Sequence, residues 1–237
     1  MVKDYSDKPV IIVGAARSGT SMVGGVVNIC GAWKGNTVGP GRYNAKGMFE
    51  NHELREKILK PLLHSMNVDK LGQYPLPETK DVLIPYDLQE SIIKIIKGQG
   101  WSKEKPWMWK CAKACLIWPG WVYAFPNAKW IIVRRKTSDI IQSCFRTGFM
   151  NKYARPEIQR KVGAKNEKEG WLYWVRKHEE KFIEIIQEGV NVKVIWPERM
   201  VNSDYQQMQE TIGWLGLEWK PKEVMDFITP KLWKGGK

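Results

Sequence analysis

Residues 10–21 read VIIVGAARSGTS, a short apolar run followed by a glycine-rich turn. The run Val10–Val13 is β-branched and bounded by proline and glycine, a pattern typical of a fully buried strand in a parallel sheet. The turn Gly14–Gly19 leads into small residues, 21–30, which predict a helix packed closely on that sheet. These residues therefore predict a strand–loop–helix unit.

Further apolar runs at 107–110, 130–133 and 192–195 predict three more strands. Helical patterns alternate with them, and the chain shows neither an internal repeat nor a domain linker. Such alternation favours a parallel sheet covered by helices. We therefore expect one α/β domain over residues 1–237, a three-layer α/β/α architecture around a central parallel sheet. The other helices are predicted at 51–65 (kinked at Pro61), 88–97, 116–125, 138–146, 171–187, 204–215 and 221–228; segments 31–47 and 148–168 lack a clear period.

The composition is that of a folded, basic protein. Hydrophobic residues make up 43% of the 237 residues, and 38 Lys and Arg oppose 25 Asp and Glu. The net charge of +13 favours anionic partners such as a phosphorylated cofactor, an acidic substrate or nucleic acid. The four cysteines include no CxxC pair, and only three histidines are present, so a structural zinc site is not expected. With no leader and no membrane span evident, we expect a cytoplasmic protein.

The loop 14–21, called the phosphate loop below, has the length of a P-loop. Between a strand and a helix, its backbone N–H groups and the helix N-terminus form an anion-binding cradle. The P-loop pattern GxxxxGK[ST] requires a lysine where this chain has Thr20, and that lysine normally reaches the terminal phosphates of ATP or GTP. Its absence argues against nucleotide hydrolysis. Arg17 supplies a cation inside the loop instead.

The segment Arg17–Ser21 after a strand resembles the 5′-phosphosulfate loop of sulfotransferases that use 3′-phosphoadenosine 5′-phosphosulfate (PAPS). Residues 129–143 are similar to the 3′-phosphate segment of that family, a strand with an arginine at its end and a serine eight residues later. Arg135 and Ser143 match this pair, with Arg134 as the alternative arginine. The resemblance implies PAPS as donor and 3′,5′-bisphosphoadenosine (PAP) as product, bound by Arg17, Ser18, Gly19, Thr20, Ser21, Arg135 and Ser143.

Weaker similarities extend the resemblance over most of the chain, at 44–51, 109–113, 125–129 and 194–201. The glycine-rich cofactor loop near the C-terminus of cytosolic members is not recognisable. Residues 233–237 are either a remnant of that loop or a simple tail. The dimer motif of cytosolic members is not recognisable either, so the sequence indicates no oligomeric state.

Sulfuryl transfer places negative charge on the leaving 5′-phosphate, which preplaced cations can stabilise. Arg17 and Lys110 are expected to be those cations, and no metal is expected. Cytosolic members that act on phenols use a histidine two residues after the lysine matched by Lys110, where this chain has Ala112. The resemblance to carbohydrate-modifying members indicates Glu50 as the general base, with His52 as the alternative. The predicted catalytic residues are therefore Arg17, Glu50 and Lys110.

The predicted reaction is in-line transfer of a sulfuryl group to a hydroxyl or amine on a small molecule, a glycan or another acceptor. An anionic acceptor is one option, because thirteen Lys or Arg and four Asp or Glu lie between positions 129 and 177. Two other classes stay open. A P-loop kinase-like nucleotide-binding enzyme explains the phosphate loop but not the Arg135 segment. A basic nucleic-acid-binding protein explains the charge but not the loop, so nucleic acid is not the expected partner.

Overall fold

The computed structural model describes residues 4–233 and centres on a four-stranded parallel sheet. The strand order is β2-β1-β3-β4. The strands are β1 (Val10–Val13), β2 (Met108–Lys110), β3 (Lys129–Val133) and β4 (Asn191–Ile195). Every residue of β1 is buried, and β1 pairs with β2 on one side and β3 on the other. The four strands that the apolar runs predict are therefore confirmed.

Helices cover both faces of this sheet. Their bounds are α1 (Thr20–Ile29), α2 (Lys60–Ser65), α3 (Leu88–Gly98), α4 (Trp118–Ala124), α5 (Thr137–Phe145), α6 (Pro156–Lys161), α7 (Glu167–Gln187), α8 (Pro197–Val201), α9 (Gln206–Leu215) and α10 (Pro221–Phe227). Short 3₁₀ turns lie at Thr79–Asp81, Ala112–Ile117, Lys152–Ala154 and Pro230–Leu232. Within residues 4–233, no helix combines the length and the apolar character needed to cross a lipid bilayer.

Alternate residues of the strands enter two separate cores. Ile11 and Ile132 face a core that includes α3 and α4 and several fully buried tryptophans. Ile12 and Ile131 face the opposite side, where α1 and α9 pack. This alternation follows from the two-residue period of a strand, which sends successive side chains to opposite faces. The three-layer α/β/α prediction is confirmed.

Two of the predicted helices begin more than two residues away from the predicted position. The predicted helix 51–65 begins with a π-helical turn, Leu54–Leu59, because Pro61 lacks an N–H and disturbs the α-helical hydrogen bonds of the preceding turn. Helix α7 starts at Glu167 rather than at 171, where its apolar period begins. Asn166 caps this polar first turn, since its side chain accepts a hydrogen bond of 3.0 Å from the Glu169 N–H.

The imidazole of His178 lies in the core on α7, 1% exposed, with its ring centroid 4.1 Å from that of Trp174. Burial lowers the pKa of His178 from its ordinary 6.5 to about 4. In the unfolded chain His178 therefore becomes protonated below about pH 6.5, whereas in the folded chain it stays neutral until about pH 4. Stability is complete above this window and falls as the pH drops through it, by about 3 kcal/mol.

Urea unfolding above pH 7 and near pH 4 measures this loss in the wild type and in His178→Gln, which cannot titrate. We expect the wild type to lose about 3 kcal/mol more than the variant over this pH change. Equal losses in the two proteins would show that His178 does not contribute to the acid sensitivity.

Candidate active site

A cavity of about 600 Å³ opens at the carboxyl ends of the central strands. It is lined by Arg17 after β1, Lys110 at the end of β2 and Arg135 after β3. The chain enters the sheet at β1, adds β2 on one side and then crosses to add β3 on the other. Open α/β sheets bind ligands at such a reversal, and the volume suits a small-molecule ligand.

The backbone of the phosphate loop is shaped by two residues in the left-handed region. Arg17 has φ 73° and Gly19 has φ 97°. Gly19 precedes α1, whose first N–H groups have no acceptor within the helix. Gly14 allows the loop to leave β1 beside β3, because a Cβ on it would lie 2.5 Å from the carbonyl oxygen of Val133. Since Gly19, Thr20 and Ser21 line the cavity, the helix N-terminus is available to an anion there.

Ser18 lies beneath the loop, while the other four residues of the 17–21 motif line the cavity. Its side chain is fully buried, and among residues 4–233 its Oγ has no hydrogen-bond partner. Its N–H donates to the Ala15 carbonyl at 3.0 Å. Ser18 thus shapes the turn in this structure, and Thr20 and Ser21 present the hydroxyls to the cavity.

The two predicted anion-binding motifs meet at Arg17. Its Nε donates to Ser143 Oγ at 3.0 Å, and its carbonyl oxygen accepts from Arg135 Nη1 at 3.1 Å. Asp139 lies one helical turn before Ser143 and 3.7 Å from Arg135 Nε. Burial lowers the pKa of both arginines. An anion in this corner of the cavity would therefore gain two partly desolvated guanidinium groups.

The arrangement distinguishes Arg135 from its sequence neighbour. Arg134 forms an ion pair of 2.5 Å with Glu179 on α7 and does not line the cavity. Arg135 is only 7% exposed and faces the cavity. Of the two arginines that the sequence left open, Arg135 is the one that the structure brings to Arg17 and Ser143.

Lys110 and Glu50 form a buried ion pair beside the phosphate loop. Lys110 Nζ lies 3.0 Å from Glu50 Oε1 and 3.2 Å from Ser21 Oγ. The two residues are 3% and 8% exposed. Burial alone would raise the pKa of Glu50, but the charges of Lys110, Lys113 and Arg55 hold it below its usual value. Glu50 is therefore ionised at neutral pH.

Backbone geometry directs Glu50 into the cavity. Phe49 adopts a left-handed φ of 55°, which turns the chain immediately before Glu50. Asn51 then accepts a hydrogen bond of 3.2 Å from the Leu54 N–H and caps the following helical segment. The alternative base His52 is exposed and does not line the cavity. Glu50 is the candidate base that the structure places beside Lys110.

Arg55 and Trp233 line the cavity beside the predicted site residues. Arg55 Nη1 lies 3.6 Å from Glu50 Oε2, and no sequence motif marked this position. The ring of Trp233 covers Arg135, with 4.0 Å between the guanidinium carbon and the ring centroid, and it also packs over Gly19. Trp233 begins the segment 233–237 that the sequence offered as either a remnant of the cofactor loop or a simple tail; residues 234–237 lie outside the described residues.

Eight cationic side chains line the cavity against one carboxylate, that of Glu50, as far as the described residues 4–233 show. The cations are Arg17, Arg42, Lys46, Arg55, Lys110, Lys113, Arg135 and Arg146. In the same part of the chain, no group of three or more His, Cys, Asp or Glu is arranged to hold a metal ion. The arrangement suits a ligand with several negative charges and at least one group that can lose a proton to Glu50.

Comparisons with known proteins rest on structure, because no family model and no curated protein matches the sequence. The sulfotransferase STF9 from Mycobacterium avium has a TM-score of 0.55 at 12% identity, over 96% of this chain and 67% of that one. The sulfotransferase domain of the curacin biosynthetic pathway has a TM-score of 0.55 at 15% identity, over 97% and 80%. That of the Synechococcus PCC 7002 olefin synthase has a TM-score of 0.55 at 14% identity, over 94% and 78%. This chain has the sulfotransferase fold.

Proposed function

We propose that the protein is a sulfotransferase that moves a sulfuryl group from PAPS to a hydroxyl or amine acceptor. The observation that carries this proposal is that Arg17 hydrogen-bonds both Ser143 and Arg135 at the carboxyl ends of the strands. A nucleotide with phosphates at both its 3′ and 5′ positions is complementary to a helix N-terminus with a second arginine site beside it.

The residues present fit such a nucleotide. The corner near the phosphate loop offers guanidinium groups, hydroxyls and backbone N–H groups, all of which can bind phosphate oxygens. Arg17 is partly buried, and within residues 4–233 its guanidinium bonds only neutral oxygens, those of Ser143 and Tyr43. A partly desolvated cation that bonds no carboxylate there favours an anion, because the anion replaces the solvation that burial removes.

Lys110 is proposed to act on both sides of the transfer. PAPS supplies the sulfuryl group, whose bond to the 5′-phosphate breaks as the bond to the acceptor oxygen or nitrogen forms. Lys110 stabilises the charge on the leaving phosphate, together with Arg17, from a position between Ser21 and Glu50. Glu50 accepts the acceptor's proton. When Lys110 turns from Glu50 to a phosphate oxygen, the pKa of Glu50 rises, so the base becomes stronger as the leaving group is stabilised.

Neither alternative class accounts for this geometry. A kinase-like enzyme needs a cation at the terminal phosphates, where this chain has Thr20. It also gives no role to an arginine beyond β3 that contacts the phosphate loop. Nucleic-acid binding accounts for the net charge but not for a carboxylate and a lysine buried together at the base of the cavity.

Calorimetric titration with PAP, AMP and ATP–magnesium tests the proposal on the wild type, Arg135→Ala and the matched control Arg134→Ala. We expect the wild type to bind PAP more tightly than AMP. Arg135→Ala should weaken PAP binding by about 10–100-fold, because one charged hydrogen-bonding partner is lost, while AMP binding changes little. Arg134→Ala should bind PAP like the wild type.

Two results would contradict the proposal. Preferential binding of ATP–magnesium would favour a kinase-like enzyme. Equal binding of PAP by the wild type and Arg135→Ala would show that the predicted 3′-phosphate site does not exist. Circular dichroism of each variant confirms that the fold is retained.

A further inference from the structure

Lys113 lies in a part of the cavity that the donor site does not require. It belongs to the 3₁₀ turn Ala112–Ile117, which follows Lys110 at the end of β2. Its side chain packs against Gly72, so that a Cβ there would lie 2.9 Å from Lys113 Cγ. Lys113 therefore shares a wall with the 71–72 turn rather than with the phosphate loop.

The charge of Lys113 is close to the reacting centre but is not neutralised. Its charge lowers the pKa of Glu50, less strongly than the charge of Lys110 does. Glu50 is already paired with Lys110 at 3.0 Å and with Arg55 at 3.6 Å. Within residues 4–233, the side chain of Lys113 forms no ion pair or hydrogen bond. A partly buried cation in this position is a ready partner for a ligand anion.

The wall around Lys113 is apolar and held in place. Leu71, Phe149 and Met150 line the cavity here. Gln73, fully buried, joins the two segments: its amide nitrogen donates to the Phe149 carbonyl at 2.8 Å, and its Oε1 accepts from the Asn151 N–H at 3.1 Å. The structure thus presents an apolar surface, partly open to solvent at Leu71, with a lysine beside the proposed base.

Lys113 is a cation of the cavity that is available to a second ligand. Arg17, Lys110 and Arg135 are proposed to hold the donor, and Arg55 pairs with Glu56 at 2.8 Å. Lys113 lines the same cavity, and within residues 4–233 its side chain has no ion-pair partner. It is therefore a group that an acceptor anion can meet beside Glu50.

On the basis of the proposed function, we infer that the acceptor is an anionic hydroxy or amino compound with an apolar body, of the hydroxy-carboxylate type. Its anionic group pairs with Lys113, its body packs on Leu71 and Phe149, and its hydroxyl or amine lies at Glu50. Lys113 is then a specificity-determining residue for the acceptor.

The test is calorimetric binding of acceptor-like probes to the protein saturated with PAP. The probes are three carboxylates, para-hydroxyphenylacetate, ω-hydroxydodecanoate and methyl glucuronoside, each paired with its uncharged amide. We expect at least one carboxylate to bind about tenfold more tightly than its amide, the worth of one charged hydrogen bond. Lys113→Met should abolish this preference and leave PAP affinity unchanged. Lys113→Arg should retain it, as should Lys94→Met, which removes an exposed lysine on α3.

The outcomes separate this inference from the function on which it rests. Failure of the wild type to bind PAP would overturn the sulfotransferase proposal itself. If PAP binds normally, the inference is overturned when none of the three carboxylates binds, when carboxylate and amide bind equally, or when Lys113→Met keeps the preference.

Discussion

Replacing Lys110 by methionine is expected to lower kcat by about 10²–10³-fold, the usual effect of removing one donor that stabilises transition-state charge. Methionine keeps the length and apolar stem of lysine, so the packing around Gly24, which contacts that stem, should be retained. Affinity for PAP should change less than kcat, because Arg17 and Arg135 hold the nucleotide. Transfer of labelled sulfate from PAPS to the best probe of the carboxylate panel measures the rate.

Lys113→Met is the matched control, since it removes a lysine three residues away that lies in the same cavity. It should raise KM for an anionic acceptor with a smaller effect on kcat. A fall in kcat of less than tenfold in Lys110→Met would contradict the role of Lys110 in stabilising the leaving group.

Replacing Glu50 by glutamine is expected to abolish transfer and to destabilise the fold by about 3 kcal/mol. The stability loss arises because Lys110, 3% exposed, is left as a buried cation without its counter-ion. The double variant Glu50→Gln/Lys110→Met removes both charges and should recover most of the stability while staying inactive. Urea unfolding and sulfate transfer measure the two properties separately.

The exposed ion pair of Glu53 and Lys57, at 2.5 Å, is the surface control. Glu53→Gln should change the free energy of unfolding far less than Glu50→Gln does, since exposed pairs are screened by water. A double variant as unstable as Glu50→Gln would show that the loss comes from packing and not from an uncompensated charge. Retention of wild-type transfer by Glu50→Gln would exclude Glu50 as the base.

The strands and the phosphate loop can be predicted from the sequence because the residue patterns that mark them are local. A β-branched run such as Val10–Val13, followed at once by a glycine-rich turn, restricts the backbone without help from distant residues. The first turn of α7 was not predicted because it carries no such local signal. Residues 167–170 are mostly polar, so the apolar period that marks the helix begins only at Trp171.

The pairings in the cavity depend on contacts between residues far apart in the chain. Arg134 and Arg135 are adjacent, and successive residues of an extended chain point to opposite sides. The placement of β3 beside β1 brings Arg135 to the phosphate loop, where it donates to the Arg17 carbonyl. The placement of α7 brings Glu179 to Arg134, with which it forms an ion pair. The sequence could therefore name the pair but not choose between its members.

From the order of its residues alone, the chain could be assigned to the parallel α/β class, and the strand–loop–helix unit around 14–21 and the residue types that the proposed chemistry needs could be located. Only the folded chain shows that Glu50 rather than His52 lies against Lys110, that Trp233 covers Arg135, and that the side chain of Lys113 has no ion-pair partner among residues 4–233. The difference lies in how far apart in the chain the interacting residues are. Backbone conformation follows from neighbouring residues, whereas burial and ion pairing arise only when the sheet brings distant segments together.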